Sequence, residues 1–315
     1  MGTGKIVVLG TGGTIAGTAA QAGDNVGYTA AQLGVGQLVA AVPALAGLPL
    51  AAEQVAQVDS KDMDLATWQR LAARCAHWVA HDEVQGLVIT HGTDTLEETA
   101  FFLQQVLAPA RPVVLTCAMR PATALMADGP QNLLDAVAVA RSPGARGVVA
   151  VCAGRIHGPQ EVSKQHPYRL DPFDSGEAGP LGLVEEGAVR QLRPWPGADA
   201  DAAARLQATL TAQAWPRVEI VMNHAGATGA IVDALVAQGI DGLVVAGTGN
   251  GSIAVPLQDA LLRAQALGVR VVRSTRCAQG RVLPHAADRL PDSQGLSPVK
   301  ARVALLLALL RERSA

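Results

Sequence analysis

The chain has 315 residues, few of them aromatic, and almost no net charge. Phe, Trp and Tyr make up 3% of the sequence, and 25 Lys and Arg against 27 Asp and Glu leave a formal charge of −2. Nucleic-acid binding usually needs a basic face, and single-strand binding also needs aromatic stacking platforms. Because the sequence offers neither, it argues against a nucleic-acid partner.

Cysteine is also scarce, and its spacing fits none of the common metal motifs. No CxxC pair and no HExxH helix motif occurs in the sequence, so we predict no metal site. We expect the four thiols to be reduced and structural: Cys75, Cys117, Cys152 and Cys277.

Long apolar runs are absent as well. The run 6–9 is shorter than a signal-peptide core, and the run 303–310 has only eight residues, whereas a membrane-spanning helix needs about 20. Prolines and glycines interrupt the uncharged stretch 25–52. We therefore expect no membrane partner and a cytoplasmic location, or a periplasmic one if a leader was removed.

What is present is a large apolar fraction in alternating strand and helix patterns. Hydrophobic residues make up 49% and charged residues 17%, which is typical of a folded globular chain. Short apolar runs predict strands, and 3.6-residue periodicity between them predicts helices. The predicted strands are 6–9, 55–58, 86–89, 112–115, 147–151, 218–222, 243–246 and 269–272. The predicted helices are 65–80, 95–108, 131–140, 229–238, 255–267 and 297–310.

This alternation predicts an α/β fold built from parallel sheets. We expect a larger N-terminal catalytic domain with a doubly wound, mainly parallel sheet over 1–195, and a smaller C-terminal α/β domain over 216–315. Prolines and small polar residues predict a linker over 196–215. The weakly periodic segment 155–190 favours a hairpin-rich excursion from the first domain.

The first predicted strand runs into a glycine-rich turn, GTGGTIAG over 10–17. It lacks the third glycine of a dinucleotide-binding loop and the GK[ST] end of a P-loop. Thr14 could present a reactive hydroxyl at the carboxyl edge of the sheet, or it could cap a helix. Tyr28 could fold back onto this turn, or it could be an ordinary loop tyrosine.

Two further strand ends carry polar clusters. In DSKDM (59–63), Ser60 could hold a carboxylate, while Asp59 or Asp62 could cap the helix that starts near Asp64. In THGTDT (90–95), a capping box explains Thr95 and Glu98. It leaves Thr93 and Asp94 without a structural purpose at an edge where α/β active sites lie. His91 is either structural or a participant.

Lys164 is one of only four lysines among 25 basic residues. Unlike arginine, a lysine can lose its proton when it is desolvated or crowded by charge. With Thr93 and Asp94 it could form a Thr–Lys–Asp relay in which the aspartate orients the lysine. The alternative is a solvated surface lysine.

Taken together, the motifs resemble the bacterial-type L-asparaginase (asparaginase/glutaminase) family, in order and over nearly the whole chain. They are GGTIAG (12–17), YTA (28–30), DSKDM (59–63), ITHGTDTLEET (89–99), PVVLTCAMRP (112–121), DGPQNL (128–133), EVSK (161–164), GTGNG (247–251) and RSTR (273–276).

The resemblance implies an amidohydrolase that converts L-asparagine to L-aspartate and ammonia through a covalent acyl-enzyme, without a cofactor. It places the nucleophile on Thr14, assisted by Tyr28, and a second catalytic group on the remaining site residues, Thr93, Asp94 and Lys164. It assigns substrate binding to Gly13, Asp59, Ser60, Gly92, Thr93 and Asp94. It also implies a homodimer or homotetramer with its sites at subunit interfaces.

The resemblance leaves the substrate range open. The family's acidic residue that reaches the neighbouring subunit's substrate is missing from RVLPHAADRL (281–290), where His285 or Asp288 could substitute. Gly226 stands where the family has an asparagine. A broader glutaminase-asparaginase and a non-catalytic amino-acid sensor are the alternatives. An amidotransferase subunit acting on aminoacyl-tRNA is disfavoured because a formal charge of −2 predicts no basic surface for RNA.

Overall fold

The computed structural model describes residues 4–21 and 23–314, and the chain divides into two compact units, Met1–Ala203 and Ala204–Ala315. Residues 1 and 315, the outer limits of the two predicted domains, lie outside the described residues. The domain limits near 195 and 216 stay a prediction. The segment predicted as a linker contains helix Ala202–Thr211, because its run of alanines favours helix.

The N-terminal unit is built on one eight-stranded sheet. In chain order its strands are β1 (Lys5–Gly12), β2 (Leu50–Val58), β3 (Val84–Thr90), β4 (Pro112–Thr116), β5 (Gly147–Cys152), β6 (Arg155–His157), β9 (Gly182–Glu185) and β10 (Ala188–Gln191), while β7 (Ser163–Lys164) and β8 (Phe173–Asp174) form a separate hairpin. The sheet order is β10-β9-β6-β5-β4-β3-β1-β2. Five neighbouring strands of this order, β5, β4, β3, β1 and β2, are parallel. The strands β6, β9 and β10 add an antiparallel edge.

Helices cover both faces of this sheet. They are α1 (Val35–Ala40), α2 (Leu65–Val79), α3 (Leu96–Leu107) and α4 (Gly129–Ala140). On one face, Leu133 of α4 and Val35 of α1 pack with Val88 and Val114 of the strands in a single apolar core. The helices α2 and α3 contact each other and pack against β3 and β5, and the ring of Trp68 stacks on Phe102 with centroids 4.6 Å apart. This arrangement confirms the predicted doubly wound, mainly parallel sheet.

The C-terminal unit repeats the same architecture on a smaller scale. Its elements are α5 (Ala202–Thr211), β11 (Val218–Met222), α6 (Ala230–Ala237), β12 (Gly242–Gly247), α7 (Val255–Ala266), β13 (Arg270–Thr275) and α8 (Pro298–Ser314). The strands form a parallel sheet in the order β11-β12-β13. Leucines and valines of α6 and α7 pack on Leu243 and Val245 of β12, and α8 contacts all three strands.

Two points of the fold concern the function directly. Within 4–21 and 23–314, every helix is too short or too polar to cross a membrane. The parallel strands β2, β1, β3 and β4 are neighbours, so their carboxyl ends meet at one edge of the sheet. The polar clusters of the sequence follow these strands, and the edge therefore brings them together.

Candidate active site

Two glycines let the loops after β1, β2 and β3 touch. Gly13 has φ of 81°, and a Cβ there would lie 2.3 Å from the Cα of Gly92. A Cβ on Gly92 would in turn lie 2.4 Å from Ser60 Oγ. Only residues without a side chain permit such an approach, so the three loops interlock and bring Thr14 close to Thr93.

Thr14 lies on a short turn of 3₁₀ helix, Thr14–Ala16, directly after Gly13. The side chain is buried, with 8% of the residue exposed, and its Oγ1 lies 2.7 Å from the hydroxyl of Tyr28. Paired backbone hydrogen bonds of 2.9 Å between Thr18 and Thr29 fold the intervening segment back. The structure therefore brings Tyr28 onto the first turn.

Ser60 follows β2 and is almost fully buried, with 2% exposed. Its Oγ accepts a 3.1 Å hydrogen bond from the backbone N–H of Asp94. The carboxylate of Asp59 lies beside it and accepts from Lys61 Nζ at 2.7 Å. This contact raises the pKa of the Lys61 ammonium. Ser60 thus joins the loop after β2 to the loop after β3.

The loop after β3 meets the hairpin β7–β8 through Lys164. Lys164 Nζ lies 2.8 Å from Thr93 Oγ1 and 2.6 Å from Asp94 Oδ1. Thr93 is buried, and the Lys164 side chain is 17% exposed against 52% for Asp94. Within the described part of the chain, Asp94 Oδ2 makes no hydrogen bond. The three residues proposed as a relay are therefore in contact, with one carboxylate oxygen left for a ligand.

His91 makes no hydrogen bond to the other predicted site side chains among the described residues. Its ring is fully buried, and Nδ1 donates to the carbonyl of Gly92 at 2.7 Å. Burial lowers the pKa of His91 to about 4, so the ring is neutral near pH 7. This geometry favours the structural interpretation.

Thr95 is the N-cap residue of α3, as predicted, but its side chain does not cap the helix. The side chain of Thr95 makes no capping bond to the backbone of α3, because its Oγ1 donates to the Ser60 carbonyl at 2.8 Å. The cap of α2 also differs from the expectation. Asp64 itself accepts from Thr67 N at 2.7 Å, whereas Asp59 caps only the 3₁₀ turn Ser60–Asp62.

Sequence reasoning assigned no role to the loop after β4, which the structure places beside the site. Asp128 Oδ2 and Oδ1 accept from the backbone N–H groups of Met119 and Arg120, each at 2.9 Å. Ala122 N donates to the carbonyl of Gly17 at 2.9 Å. The motif DGPQNL contained the signal, since an aspartate before a helix often binds backbone amides.

In the C-terminal unit, the two candidate substitutes for the missing acidic residue bind each other. Asp288 Oδ2 accepts from His285 N at 2.7 Å and from Arg273 Nη2 at 2.5 Å. The backbone N–H of His285, followed by the guanidinium, lowers the pKa of this carboxyl. Gly226 occupies a turn with φ of 77°. The charge of Asp288 is thus already paired with that of Arg273 within the C-terminal unit.

The described residues contain no group of three or more His, Cys, Asp or Glu side chains placed to hold a metal ion. All four cysteines are free. Three are buried, as expected of structural thiols, but Cys277 is exposed. The reactive groups that the site offers are therefore hydroxyls, a carboxylate and an amine, which suit acyl transfer.

Comparisons with known proteins agree with this chemistry. Residues 5–196 match the family model described as Asparaginase, N-terminal, and residues 217–315 match the Glutaminase/Asparaginase C-terminal domain.

Named relatives span the same length. L-asparaginase 2 of Bacillus subtilis is 38% identical over 97% of this chain and 82% of its own. Glutaminase-asparaginase of Pseudomonas fluorescens is 37% identical over 97% and 86%. A crystal structure of a probable cytoplasmic L-asparaginase from Campylobacter jejuni superimposes with a TM-score of 0.89 at 37% identity, over 97% of this chain and 95% of that one. The chain therefore belongs to the asparaginase/glutaminase family of amidohydrolases, as its motifs indicated.

Proposed function

We propose that this enzyme hydrolyses the side-chain amide of L-asparagine to L-aspartate and ammonia, with Thr14 as the nucleophile. The observation that carries the proposal is the contact between Gly13 and Gly92. It sets the Thr14–Tyr28 pair beside the Thr93–Lys164–Asp94 cluster on adjoining loops. The names of the relatives, L-asparaginase and glutaminase-asparaginase, support the substrate class.

In the first half-reaction, Thr14 Oγ1 attacks the amide carbon. The threonine proton passes to Tyr28, whose hydroxyl gives its own proton to the departing nitrogen, and ammonia leaves. The product is an ester between Thr14 and the acyl group of aspartate. Splitting one hydrolysis into two acyl transfers lowers each barrier, and backbone amides of the first turn and of Thr93 would stabilise the oxyanion.

In the second half-reaction, water attacks the ester carbon and Thr14 Oγ1 recovers a proton. We assign the general base to the relay of Thr93 and Lys164. Lys164 Nζ lies against both Thr93 Oγ1 and Asp94 Oδ1, and it acts as a base on the threonine in its neutral form. Asp94 then holds the amine in place during the transfer.

For substrate binding, we assign the α-carboxylate to the Ser60 hydroxyl and to backbone amides of the glycine loops at Gly13 and Gly92, with Asp59, bound to Lys61, lying beside Ser60. The α-amino group goes to the unpaired Oδ2 of Asp94. Ser60→Ala should raise KM about tenfold or more while kcat changes less, since a lost hydrogen bond to a charged group costs about 1.5–3 kcal/mol. Steady-state kinetics with asparagine would measure this split.

The decisive experiment is an ammonia assay with asparagine and glutamine in both L- and D-forms. Thr14→Ala and Lys164→Met should lower kcat by at least about 100-fold. Lys5→Met is the matched control, because Lys5 lies at the amino end of β1, away from the site edge. The proposal fails if the wild type releases no ammonia from any of the four, and the assignment of Thr14 fails if Thr14→Ala stays active.

A broader glutaminase-asparaginase is the second candidate. Relatives carrying either name are almost equally similar, at 38% and 37% identity, and both substrates end in the same amide. The ratio of kcat/KM for asparagine and glutamine decides between them. A non-catalytic sensor would instead show stabilisation by asparagine without product.

We also propose a homodimer or homotetramer with the sites at subunit interfaces. Leu125 and Met126, in the segment before α4, are each 81% exposed, which supports a covering partner. Light scattering of the wild type and of Met126→Asp would test this.

For location we propose the cytoplasm, as described for the Campylobacter relative, although a Haemophilus influenzae relative is named periplasmic; cell fractionation would decide.

A further inference from the structure

The loop 117–123, which follows β4, touches both halves of the site. Toward the first turn, Ala122 N donates to Gly17 O and Thr123 Oγ1 accepts from Ala19 N, each at 2.9 Å. Toward the hairpin that carries Lys164, the side chain of Arg120 makes the connection, through its contacts with Tyr168. The loop therefore lies between the two groups of reactive residues.

Arg120 binds the segment after Lys164 in two ways. Its guanidinium lies over the ring of Tyr168, 4.0 Å from the centroid. Its Nη1 also donates a hydrogen bond to the Tyr168 carbonyl at 2.9 Å. The same Nη1 lies 3.2 Å from the carbonyl of Met119, the residue before Arg120. Across residues 4–21 and 23–314, Arg120 forms no salt bridge. Its guanidinium thus contacts the hairpin directly, while its charge also acts on the Asp128 carboxylate from beyond contact distance.

The backbone of the loop 117–123 is also held in place around Arg120. Asp128 accepts from the backbone N–H groups of both Met119 and Arg120, and Asn132 Nδ2 lies 3.3 Å from the same carboxylate. Asn132 donates as well to the carbonyl of Cys117 at 3.0 Å. The half-buried Asp128 and the buried Asn132 at the start of α4 therefore hold the loop in one conformation.

The hairpin itself needs such a contact. The strands β7 and β8 are two residues each and pair Ser163 with Asp174 and Lys164 with Phe173, and the Pro172 carbonyl accepts two more backbone hydrogen bonds, from Gln165 and His166. A two-stranded ribbon of this length has little stability of its own. Its position relative to Thr93 must come from what it is fastened to.

We propose that Arg120 is a positioning residue for Lys164, fastening the Lys164 hairpin to the loop that also braces the Thr14 turn. The hydroxyl groups of Thr14 and Thr93 then keep a fixed separation while the substrate amide is hydrolysed. The catalytic meaning of this inference rests on the proposed function. The mechanical part, that Arg120 immobilises the segment 163–172, stands on the contacts alone.

Kinetics of Arg120→Met, which keeps the length of the side chain, test the catalytic part. We expect kcat to fall about 10- to 100-fold, as for a misplacement near 1 Å, with KM and the affinity for the product aspartate changed less than about threefold. Arg120→Lys should recover part of the loss, because it restores the cation over the ring. A kcat within twofold of the wild type overturns the proposal. So does a tenfold loss of aspartate affinity, which would make Arg120 a binding residue.

Tyr168 supplies the matched controls. Because 48% of this residue is exposed, its substitution should leave the fold intact. Tyr168→Phe keeps both the ring and the carbonyl and should match the wild type. Tyr168→Ala should lower kcat, and the double variant with Arg120→Met should be no worse than Arg120→Met alone. Additive losses would show that the two residues act separately and would overturn the coupling.

Hydrogen exchange separates this inference from the proposed function. In Arg120→Met, amides of 163–172 should exchange at least about tenfold faster, while those of β4 and β5 keep their rates. If the wild type releases no ammonia, the proposed function fails and exchange still tests the fastening. If the wild type is active but exchange and kcat of Arg120→Met are unchanged, only this inference fails.

Discussion

Single residues decide how closely the loops of the site approach one another. Gly13 combines a positive φ with a backbone contact, so that Thr14 can stand next to the loop of Thr93. Sequence reasoning singled out the glycine turn because it follows the first strand. It could not choose between a reactive hydroxyl and a cap, because the contact with Gly92 is formed by residues far apart in sequence.

We expect Gly13→Ala to destabilise the fold and abolish activity. Gly47→Ala is the control, because Gly47 has a similar φ of 79° but open space around its Cβ position. Strain from the positive φ alone should cost Gly47→Ala about 1 kcal/mol, whereas the clash should cost Gly13→Ala more than about 2 kcal/mol. Urea unfolding measures both, and equal losses would mean that the loops separate easily.

Short elements, more than long ones, separate the observed fold from the predicted one. The predicted long helices 65–80 and 95–108 agree closely with α2 and α3, because periodicity and buried apolar residues specify them. The helix α1 was not predicted, and the edge strands β9 and β10 were expected only within the hairpin-rich segment 155–190, without bounds of their own. Glycines flank and interrupt α1, and the edge strands have few buried positions. Thr95 shows the same limit, since a tertiary hydrogen bond to Ser60 replaced its local cap.

At this scale the cap of α2 gives a pH-dependent prediction. The side chain and backbone N–H of Thr67 lower the pKa of Asp64 below its ordinary 3.8. Its stabilisation is therefore present above pH 4 and lost as the pH falls through the lowered pKa. Asp64→Ala should cost about 1 kcal/mol at pH 7. Unfolding experiments at pH 7 and at pH 3 should show that the difference from the wild type shrinks; a constant difference would contradict a charged cap.

For the whole molecule, the sequence predicted the class and the parallel sheets, because buried strands read as continuous apolar runs. It gave little information on acid sensitivity, which depends on burial. Burial lowers the pKa of His91 and of His157 from 6.5 to about 4. Between these values the unfolded chain binds protons that the folded chain does not, so stability falls as the pH drops from 6.5 toward 4.

We expect each buried histidine to contribute up to about 3 kcal/mol to this acid destabilisation. His157→Gln should flatten the dependence of the melting temperature on pH between 7 and 5. The exposed His224 is the control, and His224→Gln should leave the slope as in the wild type. An unchanged slope in His157→Gln would show that this imidazole is protonated equally in both states.

The interlocked glycine loops also have a consequence for how the chain folds. The hydrogen bond from Thr11 Oγ1 to Thr90 O, at the base of these loops, joins residues 79 apart in sequence. Contacts of such range form late, because the loop-closure entropy must be overcome first. The site needs the loops after β1 and β3 to meet, so a chain whose sheet is only partly assembled does not hold Thr14 beside the loop of Thr93. During refolding, the rate of ammonia release should recover later than the helical circular-dichroism signal. Recovery of activity would then indicate that the sheet is fully assembled.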